Sequence, residues 1–283
     1  MNTTERDGAG LRRSIRYVIG VDEAGRGCMA GPVGVAATLY RVSATPVRYT
    51  VGDSKRMKES ARAETLEAMC AELSDAGVKG FLETTMRDGA CCVVRYQQRQ
   101  PLQAVSAVLV DIGVIHGRNI LNATLEGMST VCNTIVRSYN AVRGLQILTP
   151  LTCAILIDGN RVPWTFLSGE ERQQVRMQAV KNVEARKRIG VDYPVLDGFG
   201  CTAVIKGDAT VLSIAAASVV AKVARDAYVV TVMHRAFPHY GFDYHKGYCT
   251  AAHKMELARW GPSRFHRVDY APVKAVLKAR EAG

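Results

Sequence analysis

An apolar run of Tyr, Val, Ile, Gly and Val at residues 17–21 stops at two adjacent carboxylates, Asp22 and Glu23, and then enters the turn Gly25, Arg26, Gly27. The run reads as a buried strand, so acids at its mouth are held by a sheet instead of trailing on a loop. An acidic pair before glycine is also ordinary turn composition, which makes recurrence the informative point. Residues 152–157 form a second apolar run, closed by Asp158 and followed by Gly159 and Asn160. Asp208 follows the strand-like stretch 201–205 and precedes a long helical pattern. Several acids can therefore converge at one sheet edge.

Such convergence has an electrostatic consequence. Two like charges about 4 Å apart repel by roughly 4 kcal/mol at an effective dielectric near 20. Divalent metal or raised pKa values must relieve that repulsion. All-oxygen ligands favour Mg²⁺ or Mn²⁺ over zinc, and two such ions about 4 Å apart are the arrangement used for phosphodiester cleavage.

The chain has 283 residues, 48% hydrophobic and 22% charged, which suits one large domain or two small ones. The richest apolar stretch, residues 211–223, is interrupted by Ser213, Ser218 and Lys222, so no membrane span is expected. Residues 1–16 lack the apolar core of a secretory signal and read as a disordered leader. The net charge is +11, from 37 basic against 26 acidic residues, which points to a polyanionic partner, nucleic acid before an anionic membrane. Eight cysteines show neither zinc-like spacing nor a compact disulfide framework. Reduced, buried thiols in an intracellular protein are expected.

Hydrophobic periodicity sets the coarse organisation. Residues 17–40 read as an antiparallel hairpin, with 48–51 as a possible third strand and 78–85 as another. Helices are expected over 57–73, 119–142 and 213–235, the last Ala-rich and able to lie flat on the sheet. A basic amphipathic helix is expected over 170–188, and 237–248 reads as an aromatic and basic loop before short helices at 251–260 and from Pro272. There is no internal repeat. The expected class is α/β: a mixed sheet flanked by helices, with a helical C-terminal lobe. The division is a leader at 1–16, a catalytic domain at 17–235 carrying an insertion near 161–200, and a substrate-binding lobe at 236–283.

Nine strings occur in order: GVDEAGRG from Gly20, AGPV from Ala30, DSK from Asp53, NILNAT from Asn119, LIDGN from Leu156, IKGD from Ile205, SIAAASVVAKVARD from Ser213, YGFDYHKGY from Tyr240 and GPSRFHR from Gly261. Together they resemble ribonuclease HII, the type 2 RNase H, from about Tyr17 to Val273. AGPV and HKGY resemble the bacterial single-chain branch.

The resemblance implies an RNase H-like fold and a metal-dependent endoribonuclease. Its substrates would be RNA/DNA hybrids and duplex DNA with embedded single ribonucleotides, cut to leave 3′-hydroxyl and 5′-phosphate ends. It assigns Asp22, Glu23, Asp158 and Asp208 to two Mg²⁺ or Mn²⁺ ions. Asp22 and Asp158 would serve the attacking water, and Glu23 and Asp208 the leaving 3′ oxygen. Gly25, Arg26 and Gly27 resemble the sensor of the ribose 2′-hydroxyl, and Tyr248 the tyrosine at the junction nucleotide. Lys55, and Ser213 or Lys222, are candidate phosphate contacts. Asp226 is expected in a structural salt bridge, and His245, His253 and His266 in lobe structure or phosphate contact. A monomer is expected, with no clear clamp-binding tail, in the cytoplasm of a bacterium or the nucleus or mitochondrion of a eukaryote.

The chain departs from the pattern at Cys28, where proline is usual, at Cys249, where glycine is common, and in the long connection between Asp158 and Asp208. The basic helix in that connection either extends the duplex footprint or is a solvated face. Two other readings stay open on sequence alone: a non-enzymatic hybrid-binding subunit, and another nuclease or integrase-like enzyme on the same fold. Protein that shifts hybrids without cutting them favours the first, and cleavage of all-DNA duplex the second.

Overall fold

The computed structural model describes residues 14–43, 45–47, 49–52, 54–73, 77–88, 90–94 and 100–282. The first apolar run becomes β1 (Tyr17–Ala24), antiparallel to β2 (Val33–Arg41) in the expected hairpin. Helices α1 (Glu59–Leu73) and α2 (Gly77–Asp88) follow, then β3 (Ala90–Val94) and β4 (Leu102–Val110). Next come α3 (Ile112–Arg118), the 24-residue α4 (Ile120–Arg143) and β5 (Cys153–Asp158). Helices α5 (Gly169–Lys181) and α6 (Val183–Lys187) precede β6 (Cys201–Val204). The chain continues through α7 (Gly207–Thr210), α8 (Leu212–Tyr228), α9 (Phe242–His245), α10 (Ala251–Trp260) and α11 (Ala271–Glu281).

The six strands lie in the order β3-β4-β2-β1-β5-β6, antiparallel from β3 to β1 and parallel from β1 to β6. Strand alternation sorts β1 between two faces. Ile19 and Val21 are fully buried with Met128, Val131 and Ile135 of α4, each such aliphatic side chain contributing about 1.5–3 kcal/mol. Gly20 and Asp22 point the other way, toward α8. A Cβ on Gly20 would stand 2.2 Å from the Ser213 carbonyl carbon, so only glycine admits the helix at that distance. The Ala-rich α8 thus lies flat on the sheet, with Ala216, Val220 and Ala224 packed against Ala36 and Leu66.

Several expectations are corrected. Residues 78–85 are helical: Val78, Phe81, Leu82 and Thr85 fall at helical spacing, and Phe81 and Thr85 are buried, which outweighs the β-branched composition that suggested a strand. The third and fourth strands are instead β3 and β4. Residues 49–51 form no strand, and Arg48 lies outside the described residues. The basic helix breaks at Asn182, whose side chain caps α6. After Tyr228 the long helix widens into a π-helical turn, Val229–His234, and residues 237–248 contain a 3₁₀ turn and α9.

Residues 1–13 of the expected leader and Asp53 of DSK lie outside the described residues. The Ser14 and Arg16 amides donate to the Leu151 and Thr152 carbonyls at 3.0 and 2.8 Å. The C-terminal segments fold back on the start of the chain: Ala30 packs with Met233, Phe242 and Phe265, and Met29 with Leu257 and Val273.

Candidate active site

Parallel pairing of β1 with β5 places Val21 beside Ile157, so Asp22 and Asp158 leave the sheet at the same edge. β6 pairs Val204 with Asp158, and the turn after it brings Asp208 to the same place on α7. One oxygen from each of Asp22, Asp158 and Asp208 lies within 4.8 Å of the others. The Asp208 amide donates to Asp158 Oδ1 at 3.3 Å, fixing two of the three to each other. Glu23 lines the same cleft, but its carboxylate is turned to Arg26 at 3.0 Å and stands outside the trio.

Burial is the main cause that holds Asp22 well above the usual carboxylate range; Glu23 and Asp158 add to it and a Ser218 hydrogen bond opposes it. Burial likewise raises Glu23, against the pull of Arg26. The Lys55 ammonium donates to Asp208 Oδ2 at 2.9 Å, and this contact, before the other acids, raises the Lys55 pKa. A converging set of carboxylate oxygens, costly to ionise together and already drawing a cationic side chain, fits a hard divalent ion.

Next to the acids, the chain turns at Gly25, whose φ is 90°. A side chain there would meet both the disfavoured left-handed backbone and Arg225 Nε at 2.0 Å. Gly27 is different: a Cβ on it would have nothing within 4 Å. Arg267, only 4% exposed, donates through Nη2 to the Gly25 carbonyl and through Nη1 to that of Arg26, both at 2.8 Å. The Tyr270 hydroxyl donates to the Gly27 carbonyl at 3.0 Å. Cys28, at the position where proline was expected, donates its amide to the Gly25 carbonyl at 3.3 Å, a bond proline lacks.

Tyr248 and Lys222 line the cleft of about 210 Å³ with Asp22, Glu23 and Asp158. Lys222 Nζ and Arg225 Cζ lie 5.1 and 5.6 Å from the Tyr248 ring centre. Arg225 is fully buried and donates to the Pro32 and Ala30 carbonyls. Asp226 takes the expected structural role, 2.9 Å from Lys222 and 3.3 Å from Arg225. Ser213 does not reach the cleft. It is buried in the first turn of α8 against Gly20, its carbonyl accepting from Thr38 at 2.7 Å. The serine of α8 that faces the acids is Ser218, 2.7 Å from Ser54.

The three histidines form the floor beneath Tyr248. His253 Nδ1 meets the Tyr248 carbonyl at 2.9 Å, and its Nε2 meets His266 Nε2 at 3.1 Å. His266 Nδ1 accepts from the Ser263 amide, so its proton sits on Nε2 and points at His253. His245 stacks on His253 at 4.0 Å. Burial lowers His253 to about 3 and His266 to about 4, in keeping with neutral rings.

Sequence reading missed Ser54, Ser218, Arg267 and Tyr270. Ser218, Lys222 and Asp226 recur every fourth residue in a largely apolar helix, a polar stripe that marks the face toward the cleft. A larger groove of about 580 Å³ lies between α4 and the α5–α6 segment, lined by Asn122, Arg161, Trp164 and Arg188. Glu171 and Glu184 line it, but among the described residues the cluster of three converging carboxylates is the one formed by Asp22, Asp158 and Asp208. Arg172 and Arg176 sit 5.9 and 5.6 Å from the Trp164 ring.

A family model for ribonuclease HII matches residues 19–120 and 168–273. The chain belongs to the ribonuclease HII family. The matched segments carry Asp22, Glu23, residues 25–27, Asp208, Tyr248 and Arg267, while Asp158 falls in the unmatched 121–167. Ribonuclease HII of Dechloromonas aromatica (strain RCB) is 34% identical over 93% of this chain and 95% of that protein. The Chloroflexus aurantiacus protein of the same name is 31% identical over 95% of this chain and 93% of its own length. The crystal structure of ribonuclease H2 from Pyrococcus horikoshii OT3 superposes with a TM-score of 0.57 at 16% identity, covering 94% of this chain and all of that one, and shows the shared fold. As a member of the family the chain is a metal-dependent ribonuclease H. No disulfide joins its eight cysteines, and among the described residues no helix is long and apolar enough to cross a membrane.

Proposed function

We propose that this chain hydrolyses the RNA strand of RNA/DNA hybrids and cuts duplex DNA on the 5′ side of an embedded single ribonucleotide, leaving 3′-hydroxyl and 5′-phosphate ends. The observation that carries the reading is the placement of three carboxylates within 4.8 Å of one another beside a turn open to the same cleft. Asp22, Asp158 and Asp208 would hold divalent metal, Mg²⁺ or Mn²⁺, and Glu23 would join them by releasing Arg26 to a substrate phosphate. Bound metal of this kind supplies water activation and charge neutralisation at the leaving oxygen, and two ions are proposed.

The chain's own groups do the recognition. Amides of the turn at residues 25–27 would meet the ribose 2′-hydroxyl, which deoxyribose lacks, and the open space at Gly27 allows the sugar to approach the backbone. Tyr248, held from below by His253, would set the position of the adjacent nucleotide. Lys55 and Lys222 flank the cleft and suit phosphate oxygens. Residues 17–235 would form the catalytic unit, 236–283 the lobe that carries Tyr248, and 161–200 an insertion beside it. The physiological task would be removal of ribonucleotides from DNA by a monomer in a reducing intracellular compartment.

The test is a duplex containing one ribonucleotide beside an all-DNA control of the same sequence, with Mg²⁺ or Mn²⁺. A single cut 5′ to the ribonucleotide is expected, abolished by Asp22→Asn. Cleavage of the all-DNA control, or full activity of Asp22→Asn, would contradict the proposal.

A further inference from the structure

The turn at residues 25–27 is held from behind by residues some 240 positions away. Its three carbonyls are all taken: Gly25 and Arg26 by the two Nη groups of Arg267, Gly27 by the Tyr270 hydroxyl. Arg267 is itself fixed, since Nε donates to the Gly31 carbonyl at 3.0 Å and Nη2 also reaches that of Pro32 at 3.3 Å. Five contacts to backbone carbonyls from one planar guanidinium and one phenol leave the turn a single orientation.

That orientation settles where the amides point. No peptide bond here is cis, and in a trans peptide the carbonyl of one residue and the amide of the next point in opposite directions. With the Gly25 carbonyl aimed at Arg267, the Arg26 amide points away from it. The Arg26 carbonyl, also on Arg267, sends the Gly27 amide the same way. The acid cleft is lined by Gly25, Arg26 and Gly27 but not by Arg267 or Tyr270, so the turn stands between the two groups and its free amides face the acids. Neither amide has a hydrogen-bond partner among the described residues.

We propose that Arg267 and Tyr270 are positioning residues for ribose recognition: by occupying the carbonyls of residues 25–27 they hold the Arg26 and Gly27 amides toward the 2′-hydroxyl. The inference rests on the reading that this cleft acts at ribonucleotides. Burial lowers the Arg267 pKa only to about 10, so the fork keeps its full set of donors at neutral pH. Lysine cannot replace it, because one ammonium does not span two carbonyls in the plane of the fork.

The test compares affinities of the full chain for two duplexes, one with a single ribonucleotide and one all-DNA, in Ca²⁺ so that binding is read in place of turnover. Tyr270→Phe removes one hydroxyl and is expected to lower the ratio of ribonucleotide to all-DNA affinity about threefold to tenfold, leaving all-DNA affinity within about twofold. Arg267→Lys is expected to bring the ratio near one. If Arg267→Lys fails to fold, Tyr270→Phe alone decides. A folded Tyr270→Phe chain with the wild-type ratio overturns the inference, as does a parallel loss of both affinities, which is the signature of a merely structural role. A wild-type chain that prefers neither duplex overturns the ribonucleotide reading together with it.

Discussion

Replacing Asp158 by Asn should stabilise the metal-free chain while abolishing cleavage. The amide keeps the Oδ1 acceptor for the Asp208 N–H and removes one charge from a trio whose oxygens lie within 4.8 Å. Two unit charges at that separation repel by about 3.5 kcal/mol at an effective dielectric near 20. Asp22 is pushed toward its neutral form by burial, so the pair of Asp158 and Asp208 dominates. The substitution also gives up the attraction between Asp158 and the Lys55 ammonium, which is 77% exposed and therefore screened; that loss offsets roughly half of the repulsion. About 1–2 kcal/mol is then relieved by the substitution. With an unfolding entropy of about 2.1 cal/mol/K per residue, this raises the Tm of a chain this size by about 2–3 °C. Excess Mg²⁺ should reverse the order, because wild type gains stability from ion binding by mass action and the variant gains less. Calorimetry in EDTA and in Mg²⁺, beside a cleavage assay, reads all three. An Asp158→Asn chain that melts below wild type in EDTA would refute the claim that these acids are mutually repulsive without metal.

The two glycines of the turn should separate fold from function. Gly27→Ala is expected to leave the urea midpoint unchanged, because its Cβ enters open space, while cleavage at a ribonucleotide falls about tenfold or more from crowding of the sugar. Gly25→Ala should cost more than about 2 kcal/mol through its φ of 90° and its contact with Arg225; equal stabilities for the two variants would argue against both assignments. The histidine floor gives a pH prediction. His253 and His266 have folded pKa values lowered to about 3 and about 4, so the unfolded chain binds their protons first. Their stabilising contribution is complete above about pH 6.5 and is lost as pH falls toward the folded values, costing about 2 kcal/mol per histidine at pH 5. Asp22, shifted upward, acts in the opposite sense, so urea unfolding between pH 7 and 5 is best followed in Asp22→Asn; a flat profile there would count against the neutral histidine network.

The three acids that meet in the structure were readable because Asp22 and Asp158 close apolar runs and Asp208 follows one by a short turn, and strand ends are the places where sequence periodicity and side-chain delivery coincide. Helices α4 and α8 were readable for a related reason, being long enough for their spacing to dominate composition. Residues 78–85 were not, since Val78, Thr84 and Thr85 suggest a strand over so short a window, and only burial of Phe81 and Thr85 resolves it. Strands β3 and β4 carry no acid or turn signal and are nearly continuous in hydrophobicity, as sheet strands covered on both faces are. Ser213 and Ser218 lie five residues apart on one helix and cannot be told apart until α8 is seen to bury the first on Gly20. The reach of Arg267 and Tyr270 back to the turn is a tertiary fact without local precursors, whereas the pairing of Glu23 with Arg26 is local, three residues apart, and depends on how the turn folds.

The clamp on the turn also sets an order of events during synthesis. Gly25 leaves the ribosome 242 residues before the arginine that fixes its carbonyl. At about 5–20 residues per second the interval is about 12–48 s. During that time the hairpin can pair and the first acids can be in place, yet the turn at residues 25–27 has nothing behind it. If the clamp positions the turn as proposed, a nascent chain would stay indifferent to the sugars of nearby nucleic acid until Arg267 and Tyr270 are delivered, and a message truncated before codon 267 would encode every strand of the sheet without the means of discrimination.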